Sequence, residues 1–117
     1  MCGIAGLVAT EKFDCDIEKM LTPMANQLVH RGPDDRGHFL DLPLHIALSH
    51  QRLAVQDLSQ AGHQPMQSSS GRFVIVFNGE IYNHNKLRQN LLGSAFKSNW
   101  LGHSDTETLL AGIETWG

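Results

Sequence analysis

Cysteine is nearly absent from this chain: Cys2 and Cys15 are the only two in 117 residues. Two thiols exclude a disulfide framework, and they are too few for a thiolate zinc site unless histidines assist. The seven histidines, at 30, 38, 45, 50, 63, 84 and 103, form no His-x3-His pair and adjoin no Cys-x2-Cys. No metal is expected. Basic runs are also missing. The five arginines are scattered and the net charge is −3, so there is no broad electrostatic reason to expect nucleic acid. No apolar stretch is long enough for a bilayer, and the first residues lack the basic and apolar regions of a signal peptide. No membrane partner and a cytoplasmic location are the default expectations. What remains, 41% hydrophobic and 18% charged residues, suits the core of one small globular domain.

Periodicity predicts a mixed α and β chain. Gly3 to Ala9 reads as a short buried strand. Ile17, Met20, Leu21, Met24 and Leu28 follow at helical spacing. Pro23 either starts that helix, with Thr22 as its cap, or kinks it. Gly32-Pro33 reads as the stop, with Gly32 in a left-handed cap. Two strands are expected at Arg36–Leu40 and Leu44–Ser49, then a loop-rich stretch over 50–71. Within that stretch, Ser68-Ser69-Ser70-Gly71 fits a hairpin loop better than a domain boundary. The run Phe73-Val74-Ile75-Val76-Phe77 is the strongest strand signal and reads as buried on both faces. Asn78-Gly79 then turns the chain. A helix from Asn83 or His84 to Leu92 should turn Leu87, Leu91 and Leu92 inward. A weak strand at Ala95-Phe96-Lys97 comes next. Ser104-Asp105-Thr106-Glu107 fits a capping box ahead of a helix carrying Leu109, Leu110, Ile113 and Trp116. Ending on Trp116-Gly117, directly after a helix, looks like a truncation.

Cys2 is the chemically informative position. Methionine removal is favoured before a small residue, and removal of Met1 would put a thiol and a free α-amine on one residue. An α-amine titrates near ~7.7–8.0 and a thiol near ~8.5 in the absence of perturbation. Such an amine can act as the base that activates its own side chain. The alternative is a small apolar residue opening a strand. Cys15, flanked by Asp14 and Asp16, reads as structural.

Polar runs punctuate the apolar pattern: His30-Arg31-Gly32-Pro33-Asp34-Asp35, His50-Gln51-Arg52-Leu53, Gly62-His63-Gln64-Pro65-Met66, Asn78-Gly79-Glu80-Ile81-Tyr82-Asn83-His84 and Gly102-His103-Ser104-Asp105-Thr106-Glu107. Each alone has a structural explanation as a helix stop, a turn or a cap. In this order, behind Cys2-Gly3-Ile4-Ala5-Gly6, they resemble the glutaminase domain of class II glutamine amidotransferases, which are N-terminal-nucleophile hydrolases. The resemblance is greatest to asparagine synthetases of the AsnB type and runs from Cys2 to Trp116. Glucosamine-phosphate synthases share the N-terminal Cys-Gly-Ile but lack the Glu80-Ile81-Tyr82-Asn83 sequence.

The resemblance implies an α+β fold, an αββα sandwich of two antiparallel sheets between helical layers, here truncated. Residues 1–117 would be the N-terminal portion of a glutaminase domain, with the synthetase domain absent from this chain. It implies Cys2 as the nucleophile, with Asn78 and Gly79 forming the oxyanion hole. It implies Arg52 holding the α-carboxylate of L-glutamine, and Glu80 and Asp105 holding its α-ammonium. Arg31 would organise a loop, and His84 and His103 take no chemical role. No cofactor is implied for glutamine hydrolysis. ATP and magnesium would serve only a synthetase domain, whose Ser-Gly-Gly-x-Asp-Ser run does not occur in these residues. That domain would receive ammonia and make asparagine from aspartate, in a whole enzyme expected to be a homodimer. Two other acceptor readings stay open: an amidotransferase of sugar or polysaccharide synthesis, and an inert glutamine-binding module, itself expected if Met1 is retained. A metal or thiol-redox domain would require Cys2 and Cys15 to act together.

Overall fold

Strand β3 (Ile46–Arg52) is the centre of the molecule's larger sheet, with β1 (Gly3–Val8) and β2 (Asp35–Asp41) antiparallel on either side. Gly3 pairs with Gln51 and Asp35 with Arg52, so one end of β3 meets the starts of both neighbours. The computed structural model describes residues 1–93 and 99–117. Within them lie a second antiparallel pair, β4 (Met66–Gln67) with β5 (Val74–Ile75), and three helices. These are α1 (Ile17–Asn26), α2 (His84–Leu92) and α3 (Asp105–Trp116). The chain is α+β with two antiparallel sheets.

Helix α1 covers the larger sheet. Ile17, Leu21 and Ala25 recur every four residues, share one face, and are buried. Ile17 and Leu21 pack with Ala47 of β3, and Leu7, Phe13 and Leu40 close the cluster. Each fully buried Leu or Ile contributes roughly 1.5–3 kcal/mol. Asp16, rather than Thr22, caps the helix, accepting the Glu18 N–H at 3.2 Å. Pro23 lies inside a single helix rather than starting a second one. Gln51 reaches from β3 to donate to the Ala25 carbonyl at 3.1 Å, a second bond to an oxygen that also accepts the Leu28 N–H at 3.0 Å.

Other expectations are corrected. Gly32 does not adopt the left-handed conformation; its φ is −156°. Glycine is required there for space, since a Cβ would lie 2.4 Å from the Gln51 carbonyl oxygen. The strand expected from Leu44 begins at Ile46, because Asp41 captures the Leu44 N–H at 3.1 Å and His45 bonds back to Leu42. The far end of that strand runs on to Arg52, so His50-Gln51-Arg52 is strand rather than loop. Strand β1 is not buried on both faces: Ile4 and Val8 are exposed.

The Phe73–Phe77 run is only half-buried and pairs through Val74 and Ile75 alone. Its hairpin loop is the predicted Ser68–Gly71 segment, with Gly71 at φ +73°. No strand follows Asn78-Gly79 directly. The strand expected at 95–97 lies outside the described residues. In α2, Leu91 is fully buried but Leu92 is exposed, and Trp116 of α3 is also exposed. Ser104 caps α3 by accepting the Thr106 N–H at 3.1 Å. The Glu107 carboxylate turns instead to the Leu101 N–H at 2.7 Å and to Arg88 at 3.2 Å, so the full capping box does not form.

Candidate active site

The β1–β3 register brings Cys2 beside the end of β3. Extending the Gly3–Gln51 pair by one step places Cys2 opposite Arg52. The Leu53 N–H donates to Cys2 Sγ at 3.3 Å, and Arg31 Nε donates to the Cys2 carbonyl at 3.0 Å. Cys2 is therefore held on both its side chain and its backbone, and Arg31 acts as the organiser anticipated from the sequence.

Arg52 is buried at 7% exposure, in the wall of a cavity of about 250 Å³. Its Nη1 donates to the Ser59 carbonyl at 2.9 Å and its Nη2 to the Asp57 carbonyl. Gly62 makes room for this guanidinium, since a Cβ there would fall 2.0 Å from Nη2. Asp57 sits beneath the same loop. Its carboxylate accepts the Ser59 hydroxyl at 2.6 Å, the Ser59 N–H at 2.8 Å and the His103 N–H at 2.7 Å. The Ser59 hydroxyl is the largest influence holding the Asp57 carboxyl down at about 2, against the opposing effect of burial. The adjacent Arg52 charge pulls the same way.

The opposite wall comes from the loop after β5 and the start of α3. Asn78, Gly79 and Glu80 are exposed along that loop. Asn78 makes no side-chain hydrogen bond to any described residue, which leaves its amide open to a ligand. Gly79 lies against the Phe77 ring, with a Cβ position 2.7 Å from Cζ. Glu80 accepts from Gln56 Nε2 at 2.9 Å. Asp105, buried in the first turn of α3, accepts the Ile81 N–H at 2.8 Å.

Cys2, Arg52, Asn78, Gly79, Glu80 and Asp105, the six residues singled out from the sequence, all line this one cavity. They come from four separate segments. A cation stands on one side and two carboxylates on another, an arrangement complementary to a zwitterion. The volume is below the ~300–1,000 Å³ typical of drug-sized ligands and suits a single amino acid.

Several contributors were not picked out from the sequence. Asp57 and Gln56 lie in an unremarkable loop, and only the fold reveals their partners. Gln64 and His50 belong to the polar runs noted above, but nothing in their spacing shows that both bind Phe77. Gln64 Oε1 accepts the Phe77 N–H at 2.6 Å, and His50 Nε2 meets the Phe77 carbonyl at 3.2 Å. Burial is the main cause that lowers the His50 pKa, which favours the neutral ring and an Nε2–H donor. The two thiols serve different places: Cys15 lines another cavity, beside Phe13 and Leu40. Among the described residues, no group of three or more His, Cys, Asp or Glu side chains is placed to hold a metal ion.

The family described as "Glutamine amidotransferase domain" matches residues 1–117. The chain is 37% identical over 113 residues to asparagine synthetase [glutamine-hydrolyzing] 1 of Bacillus subtilis, covering 95% of this chain and 17% of that protein. It is 40% identical over 114 residues to a probable asparagine synthetase [glutamine-hydrolyzing] of Schizosaccharomyces pombe, covering 94% and 19%. It is also 30% identical over 126 residues to the amidase chry2 of Gibberella zeae, covering 100% and 18%. The chain thus spans under a fifth of the length of these relatives. Since the family match extends from the first residue to the last, the chain belongs to the glutamine amidotransferase domain family.

Proposed function

We propose that this chain hydrolyses L-glutamine to glutamate and ammonia, as part of an enzyme that transfers the ammonia to an acceptor. The observation that carries the reading is the convergence of Cys2, Asn78, Gly79, Arg52, Glu80 and Asp105 on one amino-acid-sized cavity. The Arg52 guanidinium would bind the substrate α-carboxylate, using donors not committed to Ser59 and Asp57. Asp105 and Glu80 would bind the α-ammonium. This fixes both ends of a free amino acid and leaves its side-chain amide facing Cys2.

Cys2 Sγ then attacks the amide carbon. The C–O π pair moves to oxygen, where the Asn78 side-chain amide and the Gly79 N–H stabilise the negative charge. Collapse expels ammonia, the Cys2 α-amine having passed on the thiol proton, and leaves a γ-glutamyl thioester. Water cleaves that thioester, releasing glutamate and restoring the thiol. The α-amine is free only once Met1 has gone; with Met1 in place that nitrogen is an amide, and Met1 itself lines the cavity.

The N-terminal-nucleophile αββα sandwich is the architecture we assign to the intact domain, with residues 1–117 as its N-terminal portion. The likeness to the two asparagine synthetases supports aspartate as acceptor in the whole enzyme. On the same reading, ATP and magnesium would be used in a separate synthetase domain, and the whole enzyme would be a cytoplasmic homodimer. The likeness to a fungal amidase supports a second acceptor reading, in which the ammonia or the acyl group goes elsewhere. The test is Cys2→Ala in the full-length protein. Glutamine-dependent synthesis should vanish while synthesis from added ammonia persists. Equal loss of both would remove Cys2 from a separate hydrolytic step. N-terminal sequencing of the same sample shows whether Met1 has been removed.

A further inference from the structure

We infer that Gln64 is a positioning residue that joins the two halves of the site, the oxyanion loop and the ammonium-binding helix end. This rests on the glutaminase reading above. The Gln64 side chain is buried at 6% exposure and uses both ends of its amide. Oε1 accepts the Phe77 N–H at 2.6 Å, and Nε2 donates to Thr106 Oγ1 at 3.2 Å. Phe77 directly precedes Asn78 and Gly79; Thr106 directly follows Asp105. One planar amide therefore spans the backbone that carries the oxyanion donors and the helix turn that carries an ammonium ligand.

The bridge does not stand alone. His50 holds Phe77 from its other side, at the carbonyl, and Asp105 closes the circuit by accepting the Ile81 N–H at 2.8 Å. The loop from Phe77 to Ile81 is thus tied to α3 at both ends, by Gln64 through Thr106 at Phe77 and by Asp105 at Ile81. Between the two anchors, Asn78, Gly79 and Glu80 take no anchor of this kind and are exposed to the cavity. Donor placement in this loop matters because a ~1 Å displacement of reacting groups can cost ~10² in rate.

The experiment uses the full-length protein with Met1 removed and compares Gln64→Met, Gln64→Glu and Thr106→Val. Methionine keeps an unbranched side chain of similar length but offers the Phe77 N–H no strong acceptor. Amide hydrogen exchange at Phe77 and Ile81 should accelerate at least ~10-fold in Gln64→Met, and kcat for glutamine hydrolysis should fall ~10- to ~10²-fold. Glutamate keeps the acceptor and can take a bond from the Thr106 hydroxyl, so Gln64→Glu should restore slow exchange and part of kcat. Thr106→Val, which cuts only the helix side, should raise the KM for glutamine more than it lowers kcat. Normal exchange and normal kcat in Gln64→Met would overturn the inference, as would a Gln64→Glu variant no better than Gln64→Met. If Gln64→Met fails to fold, Thr106→Val decides: unchanged KM and unchanged exchange at Ile81 overturn the bridge. The exchange measurement needs no turnover, so an unmodified protein that leaves glutamine intact would refute the glutaminase reading while still showing whether Gln64 holds the loop.

Discussion

Arg52 and Asn78 occupy opposite walls of one cavity, and their substitution should separate two kinds of binding. Arg52 would hold a carboxylate that does not change during the reaction, so its contribution is equal in ground and transition states. Arg52→Lys should raise the KM for glutamine with little loss of kcat, because an ammonium cannot replace a planar, two-pronged donor. Asn78→Ala should do the reverse, with kcat down by ~10²-fold and KM nearly constant. Initial-rate kinetics on the two variants check the pair; a raised KM from Asn78→Ala would reassign it to substrate binding. Asp57 belongs to the same scale. Its carboxyl is held at about 2 against an ordinary 3.8, so the charged form favours the fold. That contribution is complete above pH 3.8 and is lost as pH falls towards about 2. Asp57→Asn should cost roughly 1.5–3 kcal/mol at pH 7, the worth of hydrogen bonds to a charged group. Urea unfolding at pH 7 and at pH 2–3 should show the gap between variant and parent closing in acid.

At the level of elements, the sequence was readable where one local force decides. The α1 face, the Ser68–Gly71 hairpin and the Ser104 cap all follow from local spacing and turn chemistry, and all three are present. It was misleading where a long-range contact decides. Phe73–Phe77 has every mark of a buried strand, yet the burial of a strand depends on its neighbours, and among the described residues only Met66 and Gln67 pair with it. Gly32 reads as a helix stop, although its true constraint is the Gln51–Arg52 backbone of β3, far along the chain rather than in its own helix. The site residues were legible only through the order of their motifs; Asp57 and Gln64 act through folded contacts that no spacing announces. The Gly32 contact yields a test. Gly32→Ala would drive a methyl group into the Gln51–Arg52 peptide, where Arg52 C lies 2.5 Å away. Overpacking of this kind costs roughly 1–3 kcal/mol. Because the strained peptide carries Arg52, the KM for glutamine should rise with the fall in melting temperature. A lower melting temperature at unchanged KM would show that β3 absorbs the strain without moving the guanidinium.

The whole molecule is more open than its mass suggests. Its radius of gyration is 15.1 Å, against ~13.4 Å for a typical domain of this length. Its accessible surface is 7346 Å², against ~6,300 Å² expected from its mass. Part of the excess is apolar: Val55, Leu58, Tyr82 and Leu101 are each more than two-thirds exposed. Residues 1–117 expressed alone should therefore self-associate. Light scattering across a concentration series would show this as a rising mass, and a constant monomer mass would refute it. The antiparallel pairing of β1 with β3 has one more consequence, for the length of substrate the domain accepts. That ladder fixes Gly3 against Gln51, and so where the neighbouring Cys2 and Arg52 leave the sheet. If Cys2 and Arg52 take the proposed roles, the sheet would act as a gauge for the substrate between them. Asparagine, a methylene shorter, would then fall short of one jaw; its amide should be hydrolysed at least ~10²-fold more slowly than that of glutamine, as measured by ammonia release at equal concentrations.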